Sequence, residues 1–240
     1  MKESFAHLPD YLAARFSRTG AFGLYLTVGL GAMLLAVWLF GIIATEMLAR
    51  TGLGGFDLPL ANWCHAHLQR RLTSFLLVVT YWHHPLGVLA MAALLGAWFH
   101  ARRLRYWLLA LVLSVPGGML LNVLIKYMFR RARPSFEDPL FTLASYSFPS
   151  GHTSGATFFY GLLAAFLVCR SKHWGARAAT VAGAVFMVAL VAFSRVYLGA
   201  HYLSDVLAAV TEGCAWLAIC ITAVSVLRRR SEARRAIQGD

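Results

Sequence analysis

The sequence predicts an all-α fold, a bundle of six membrane-spanning helices, on three observations. Hydrophobic residues make up 59% of the 240-residue chain and charged residues only 13%, against about 25% charged in a typical soluble domain. With a mean hydropathy of +0.63, that surplus of apolar side chains has to face lipid. Apolar runs approaching spanning length recur six times, and Lys and Arg collect on alternate connecting segments, which is what membrane topology produces.

The first run, Ala21–Thr45, is free of charge and follows Arg15 and Arg18. It is too long for a signal-peptide core and no clear cleavage site follows, so it reads as a retained span. Gly52–Gly55 reads as a turn-like outer loop. Leu72–Trp82 is apolar and is either the outer part of the second span or a helix lying at the interface, with a break at His83, His84 and Pro85. The remaining spans are His84–Phe99, Tyr106–Ile125, Gly155–Cys169, Ala178–Phe193 and Val206–Leu227, several of which must extend a few residues to cross. Beyond Leu227 the chain reads as a short, basic, flexible segment near anionic head groups. No repeat or second domain interrupts residues 1–240, and residues 1–20 and 228–240 are the expected cytoplasmic tails.

Charge sets the expected orientation. With both termini inside, the inner segments carry 14 of the 22 Lys and Arg: Lys2, Arg15, Arg18, Arg102, Arg103, Arg105, Arg170, Lys172, Arg177, Arg228, Arg229, Arg230, Arg234 and Arg235. Five of the eight outer charges lie in Lys126–Arg133 and at Arg195. Charge kept on the unfavoured side points to a function that needs it. The net charge of +12 comes in short clusters between apolar runs, with no basic stripe interleaved with stacking aromatics, so nucleic-acid binding is not expected. Cys64, Cys169, Cys214 and Cys220 show no zinc spacing and read as small packing residues.

Three short motifs carry chemistry. Lys126-Tyr-Met-Phe-Arg-Arg-Ala-Arg133-Pro134 supplies a point charge and a planar fork, both suited to phosphate oxygens. In Pro149-Ser150-Gly151-His152, Ser150 can cap the helix that follows and Gly151 lets backbone approach a ligand. The helix start then favours an anion beside a histidine able to donate a proton. In Ser194-Arg195-Val-Tyr-Leu-Gly-Ala-His201-Tyr-Leu-Ser-Asp205, one helical turn separates His201 from Asp205, a carboxylate able to orient the ring. All three fall on the outer side of the six-span layout and together suit phosphoryl transfer. Glu212, on about the same face as Asp205, either supports the site from behind or pairs with a neighbouring span. His65, His67, His83 and His84 touch head groups or a substrate, or simply sit at the interface. Arg130 and Arg131 bind a second phosphate or acidic lipids, or mark the interface. Glu137 and Asp138 lie near the site entrance.

These segments resemble the signature motifs of the type 2 phosphatidic acid phosphatase family, Lys-x6-Arg-Pro, Pro-Ser-Gly-His and Ser-Arg-x5-His-x3-Asp. All eleven fixed positions are present in order, with 14 and 41 residues between motifs. The resemblance implies the helical architecture shared with vanadium haloperoxidases and a membrane lipid phosphatase similar to phosphatidylglycerophosphatase B or undecaprenyl pyrophosphate phosphatases. It implies that His201 attacks phosphorus, that Asp205 orients it, and that His152 protonates the leaving oxygen and then activates water. Lys126, Arg133, Arg195, Ser150 and the Gly151 N–H would hold the phosphate. No metal and no cofactor are expected. The expected partner is a phosphorylated membrane lipid such as undecaprenyl pyrophosphate, phosphatidylglycerophosphate or phosphatidic acid, at the periplasmic face of a bacterial inner membrane. A lipid phosphotransferase or lipid A phosphatase on the same site, and a non-catalytic lipid-binding or transport protein, are the alternatives. The motifs leave substrate and oligomeric state open.

Overall fold

The computed structural model describes residues 24–136 and 145–238. The start of the first expected span, the N-terminal tail, and Glu137 and Asp138 lie outside the described residues. Among those described there are eight helices and no strands: α1 (Leu24–Ala49), α2 (Gly52–Ala66), α3 (Arg70–Trp82), α4 (Pro85–Ala101), α5 (Arg105–Phe129), α6 (Gly151–Arg170), α7 (Trp174–Tyr197) and α8 (Leu203–Gln238). Five are long and apolar enough to cross a membrane, or six if α3 and α4, bent by 54° at their junction, form one broken span. The break has a local cause. Pro85 opens α4 at the position where a missing N–H costs nothing, and His84 caps it by accepting from the Leu86 N–H.

Two expectations are corrected here. Gly52–Gly55 opens α2 instead of forming a loop, and a Cβ at Gly54 would sit 2.3 Å from the Glu46 carbonyl, so the chain doubles back tightly on α1. The segment after Leu227 is helical to Gln238. At 1.5 Å per residue α8 is about 54 Å long, well beyond the ~30 Å hydrocarbon thickness, so its Arg-rich end projects past the lipid.

The bundle is apolar at one end and polar at the other. The largest core cluster packs Val88, Phe99, Leu111, Val115, Phe158, Leu162 and Phe166 from α4, α5 and α6 against Leu217 and Val224 of α8. Helices approach closely there because small residues leave room: a Cβ at Gly118 would lie 2.7 Å from the Phe158 ring. Toward the other end the buried residues change character to Asn122, Lys126, Ser147, Ser150, Thr153, Ser154, Arg195, His201, Ser204 and Asp205. Most of α7 is exposed, and its buried residues are confined to Val191 and Ser194–Tyr197. Burying so many polar groups is costly unless each is hydrogen-bonded, so this end of the bundle is where a site is built.

Candidate active site

Each cluster of candidate residues stands at a helix end. Lys126 lies in the last turn of α5, whose C-cap Arg130 takes a left-handed conformation (φ +47°) and directs the chain into Arg131–Ser135. Ser150 is the N-cap of α6, as expected, but its side chain makes no capping bond. Its hydroxyl accepts from Thr153 Oγ1 (3.1 Å) instead, and its N–H donates to the Asp205 carbonyl (3.0 Å). Arg195 closes α7. His201 sits in the connection to α8, and Asp205 in the first turn of α8. That connection is locked by Gly199, with φ +69° and no room for a Cβ, which would meet Phe136 at 2.7 Å. The Phe136 ring stacks on His65 of α2 at 4.1 Å, so the segment after Pro134 is tied to both α2 and the α7–α8 connection.

His201 is 1% exposed. Its Nδ1 faces Asp205 Oδ2 at 3.5 Å and the Ser147 hydroxyl at 3.4 Å, while Arg133 approaches Nε2 at 3.0 Å. A guanidinium only donates, so Nε2 bears the lone pair and Nδ1 the proton. Burial first, and then the charges of Arg133, Lys126 and Arg195, hold the imidazole well below its ordinary pKa. It is therefore a neutral ring with its basic nitrogen turned toward the cations. The stability consequence has a definite sign. An unfolded histidine titrates near ~6.5, so below that pH the unfolded chain binds a proton that folded His201 refuses. Stability is fully present above pH ~6.5 and is lost on acidification by up to about 1.4 kcal/mol per pH unit. Thermal unfolding in detergent between pH 8 and 5 should fall less steeply in His201→Gln than in the unaltered chain. Identical slopes would contradict a neutral, buried His201.

Two of the cations, Lys126 and Arg133, are held in place by backbone carbonyls, and Arg195 by a side-chain hydroxyl. Lys126 Nζ donates to the carbonyls of Tyr146 (2.9 Å), Ser147 and Pro149. Arg133 donates through Nε to the Ser145 carbonyl and through one Nη to the Ala200 carbonyl, both at 2.7 Å. Arg195, 2% exposed, donates to Thr80 Oγ1 at 2.8 Å. Like charges gathered in a low-dielectric site repel, so the arrangement suits an anion placed among them. His152 lies within electrostatic reach of Arg195, His201, His84 and Arg133. It also lines, with Arg195, a cavity of about 750 Å³ whose other walls are mainly Leu77, Tyr81, Trp82, Leu86 and His84, at the α3–α4 break.

Lys126, Arg133, Ser150, Gly151, His152, Arg195, His201 and Asp205 thus gather at one end of the bundle. Glu212 lies below them, its Oε2 accepting from Asn122 Nδ2 (2.9 Å) and the Ser154 hydroxyl (2.7 Å), so it joins α5, α6 and α8. Of the outer histidines, His84 faces His152 with ring centres 5.8 Å apart. His83 is buried between the Val79 carbonyl and the Tyr160 hydroxyl, and His67 packs on Trp63. Sequence reasoning missed Asp57, Ser147 and Thr80. Asp57 alone left a trace, as a lone acid in an apolar segment. Arg131, left undecided between phosphate and interface, turns away from the solvent to bind Asp57 and Asp205.

Comparison with known proteins agrees with this architecture. The family model described as "PAP2 superfamily" matches residues 106–229. Phosphatidylglycerophosphatase B of Bacillus subtilis is 30% identical over 182 residues, covering 74% of this chain and 88% of that one. Decaprenylphosphoryl-5-phosphoribose phosphatase of Mycobacterium tuberculosis is 35% identical over 154 residues, covering 63% of this chain and 78% of that one. The crystal structure of the PAP2-type phosphatidylglycerolphosphate phosphatase from Bacillus subtilis superimposes with a TM-score of 0.65 at 27% identity, covering 78% and 94% of the two chains. That of Aquifex aeolicus LpxE, at 22% identity, shares the fold with a TM-score of 0.54, covering 69% and 94%.

Proposed function

The chain belongs to the PAP2 superfamily, and from that premise we propose how this integral membrane lipid phosphatase works: it cleaves phosphate from its lipid through a phosphohistidine on His201. His201 Nε2 attacks phosphorus in line with the lipid oxygen. The N–P bond forms as the P–O bond to the lipid breaks, and His152 gives its proton to the departing oxygen. His152 then takes a proton from water, which attacks the phosphohistidine and releases phosphate and neutral His201. Asp205 keeps the proton on Nδ1 and offsets the positive charge of the phosphorylated ring. Lys126, Arg133, Arg195, the Ser150 hydroxyl and the Gly151 N–H neutralise the equatorial oxygens, where phosphoryl transfer concentrates charge.

The observation that carries this reading is the buried His201, with Nε2 directed at Arg133 and a carboxylate behind Nδ1. The apolar cavity beside His152 and Arg195 supports a lipid leaving group, with chain against Leu77, Trp82 and Leu86 and phosphate at the cationic end. The relatives' names point to phosphatidylglycerophosphate and prenyl-linked phosphates, and phosphatidic acid and undecaprenyl pyrophosphate have the same chemistry. The distribution of Lys and Arg supports a site on the periplasmic face of a bacterial inner membrane, with both tails cytoplasmic.

The test is phosphate release by the purified protein from these four kinds of lipid, in excess EDTA and without an acceptor. Release from at least one is expected, unaffected by the chelator, because the fixed cations supply the charge. Phosphate appearing only when a second lipid is added would mean transfer instead of hydrolysis. Activity lost in EDTA and restored by magnesium would overturn the metal-free mechanism.

A further inference from the structure

We infer that Asp57 and Arg131 are positioning residues that hold Asp205 aimed at His201, so that α2 takes part in catalysis without touching substrate. The inference rests on the mechanism above, and its geometry is independent of it. Asp205 is 0% exposed and uses both oxygens. Oδ2 accepts from the Ser147 hydroxyl and the Tyr202 N–H (2.9 Å) and faces His201 Nδ1. Oδ1 accepts from Arg131 at 2.6 Å. Arg131 is fixed in turn: its second Nη binds Asp57 Oδ2 at 2.7 Å, and its guanidinium lies over the Tyr202 ring at 4.2 Å. Asp57, 2% exposed, accepts from the Ser204 N–H (2.9 Å) and the Ser204 hydroxyl. The same hydroxyl also accepts from Arg131 at 2.7 Å. A chain of charge therefore runs from α2 through the segment after α5 to the first turn of α8.

The chemistry explains why such a chain is useful. Arg131 is two residues from Arg133, and a guanidinium with no carboxylate partner would be drawn to the phosphate. Asp57 takes its second edge, so this cation serves Asp205 and not the substrate. Without Arg131, two buried carboxylates would lose the donor that bridges them, and Oδ1 of Asp205 would have nothing to fix its direction. An Asp205 turned away from His201 no longer favours the Nδ1–H tautomer or stabilises the charged phosphohistidine.

The experiment compares Arg131→Gln, Arg131→Lys, Asp57→Asn and the Arg131→Gln/Asp57→Asn double variant with the unaltered protein, purified and checked for folding by thermal unfolding. Each is assayed for kcat and KM on the lipid that the unaltered enzyme turns over, and for inhibition by vanadate, which occupies the phosphate position. Arg131→Gln should lower kcat about 10–100-fold, with KM and vanadate inhibition within about twofold. Asp57→Asn should act in the same direction, and the double variant should be no worse than Arg131→Gln alone, since both work through one chain. If Arg131→Gln fails to fold, Arg131→Lys is the deciding variant, because its charge is kept while its two-edged geometry is lost; lowered kcat with unchanged vanadate inhibition is expected. Vanadate inhibition weakened tenfold with kcat intact would make Arg131 a phosphate ligand, and unchanged kcat in folded variants would make the chain purely structural. Either result overturns the inference. An inert unaltered protein would instead overturn the proposed function, so the two failures are distinguishable.

Discussion

His201→Ala is expected to reduce phosphate release by about 10⁴-fold or more, because it removes the only protein atom that bonds to phosphorus in the proposed mechanism. The surrounding groups remain: Ser147 still binds Asp205, Lys126 still binds its three carbonyls, and Arg133 keeps the Ser145 and Ala200 carbonyls. The phosphate site therefore survives while the chemistry stops. His201 is 1% exposed, so truncation leaves a void, and His201→Gln, which fills it, is the companion variant. Two measurements decide the matter. Brief incubation with labelled lipid phosphate, followed by denaturation in alkali, should trap acid-labile phosphate on the unaltered protein and none on either variant. A folded variant with activity within tenfold of the parent would remove His201 from the role of nucleophile.

His152→Gln has the second-largest expected effect, and its size should depend on the leaving group. A lipid alkoxide leaves poorly without a proton, so loss of the acid should cost about 10²–10⁴-fold on a lipid monoester. With p-nitrophenyl phosphate the leaving phenolate needs no proton, and His201 can still be phosphorylated. The second step still needs a base for water. The variant should therefore release a burst of about one nitrophenol per protein and then turn over slowly, the mark of an accumulating covalent intermediate. An equal loss on both substrates with no burst would mean that His152 only helps bind the phosphate.

Much of this site was legible in the sequence because short-range spacing carries it. Lys126 to Pro134, Pro149 to His152 and His201 to Asp205 each lie within about one to two helical turns or a single loop, so backbone geometry alone fixes which groups can act together. The apolar runs similarly marked the helices, since lipid admits few other structures. What the sequence concealed is pairwise and distant. Asp57 meets Arg131 across 74 residues, and Arg195 meets Thr80 across 115. No periodicity on either partner reports such a meeting. Arg131 illustrates the loss most clearly: its position beside Arg133 suggested a phosphate ligand or an interfacial charge, and only its two carboxylate neighbours reveal its other role. The Gly52–Gly55 stretch misled for a different reason. Glycine usually marks turns, but here its absent side chain lets α2 pack against the end of α1.

By itself the sequence determined the apolar helices, the family and the short motifs that hold the candidate site, because hydrophobic length and motif spacing are local properties of the chain. Tertiary structure alone decided how the break between α3 and α4 opens a cavity onto His152, and how α2 reaches across the bundle to steady Asp205. Those outcomes depend on which buried faces pack together. Close packing and the need to pair every buried charge are settled among residues that the chain itself keeps far apart.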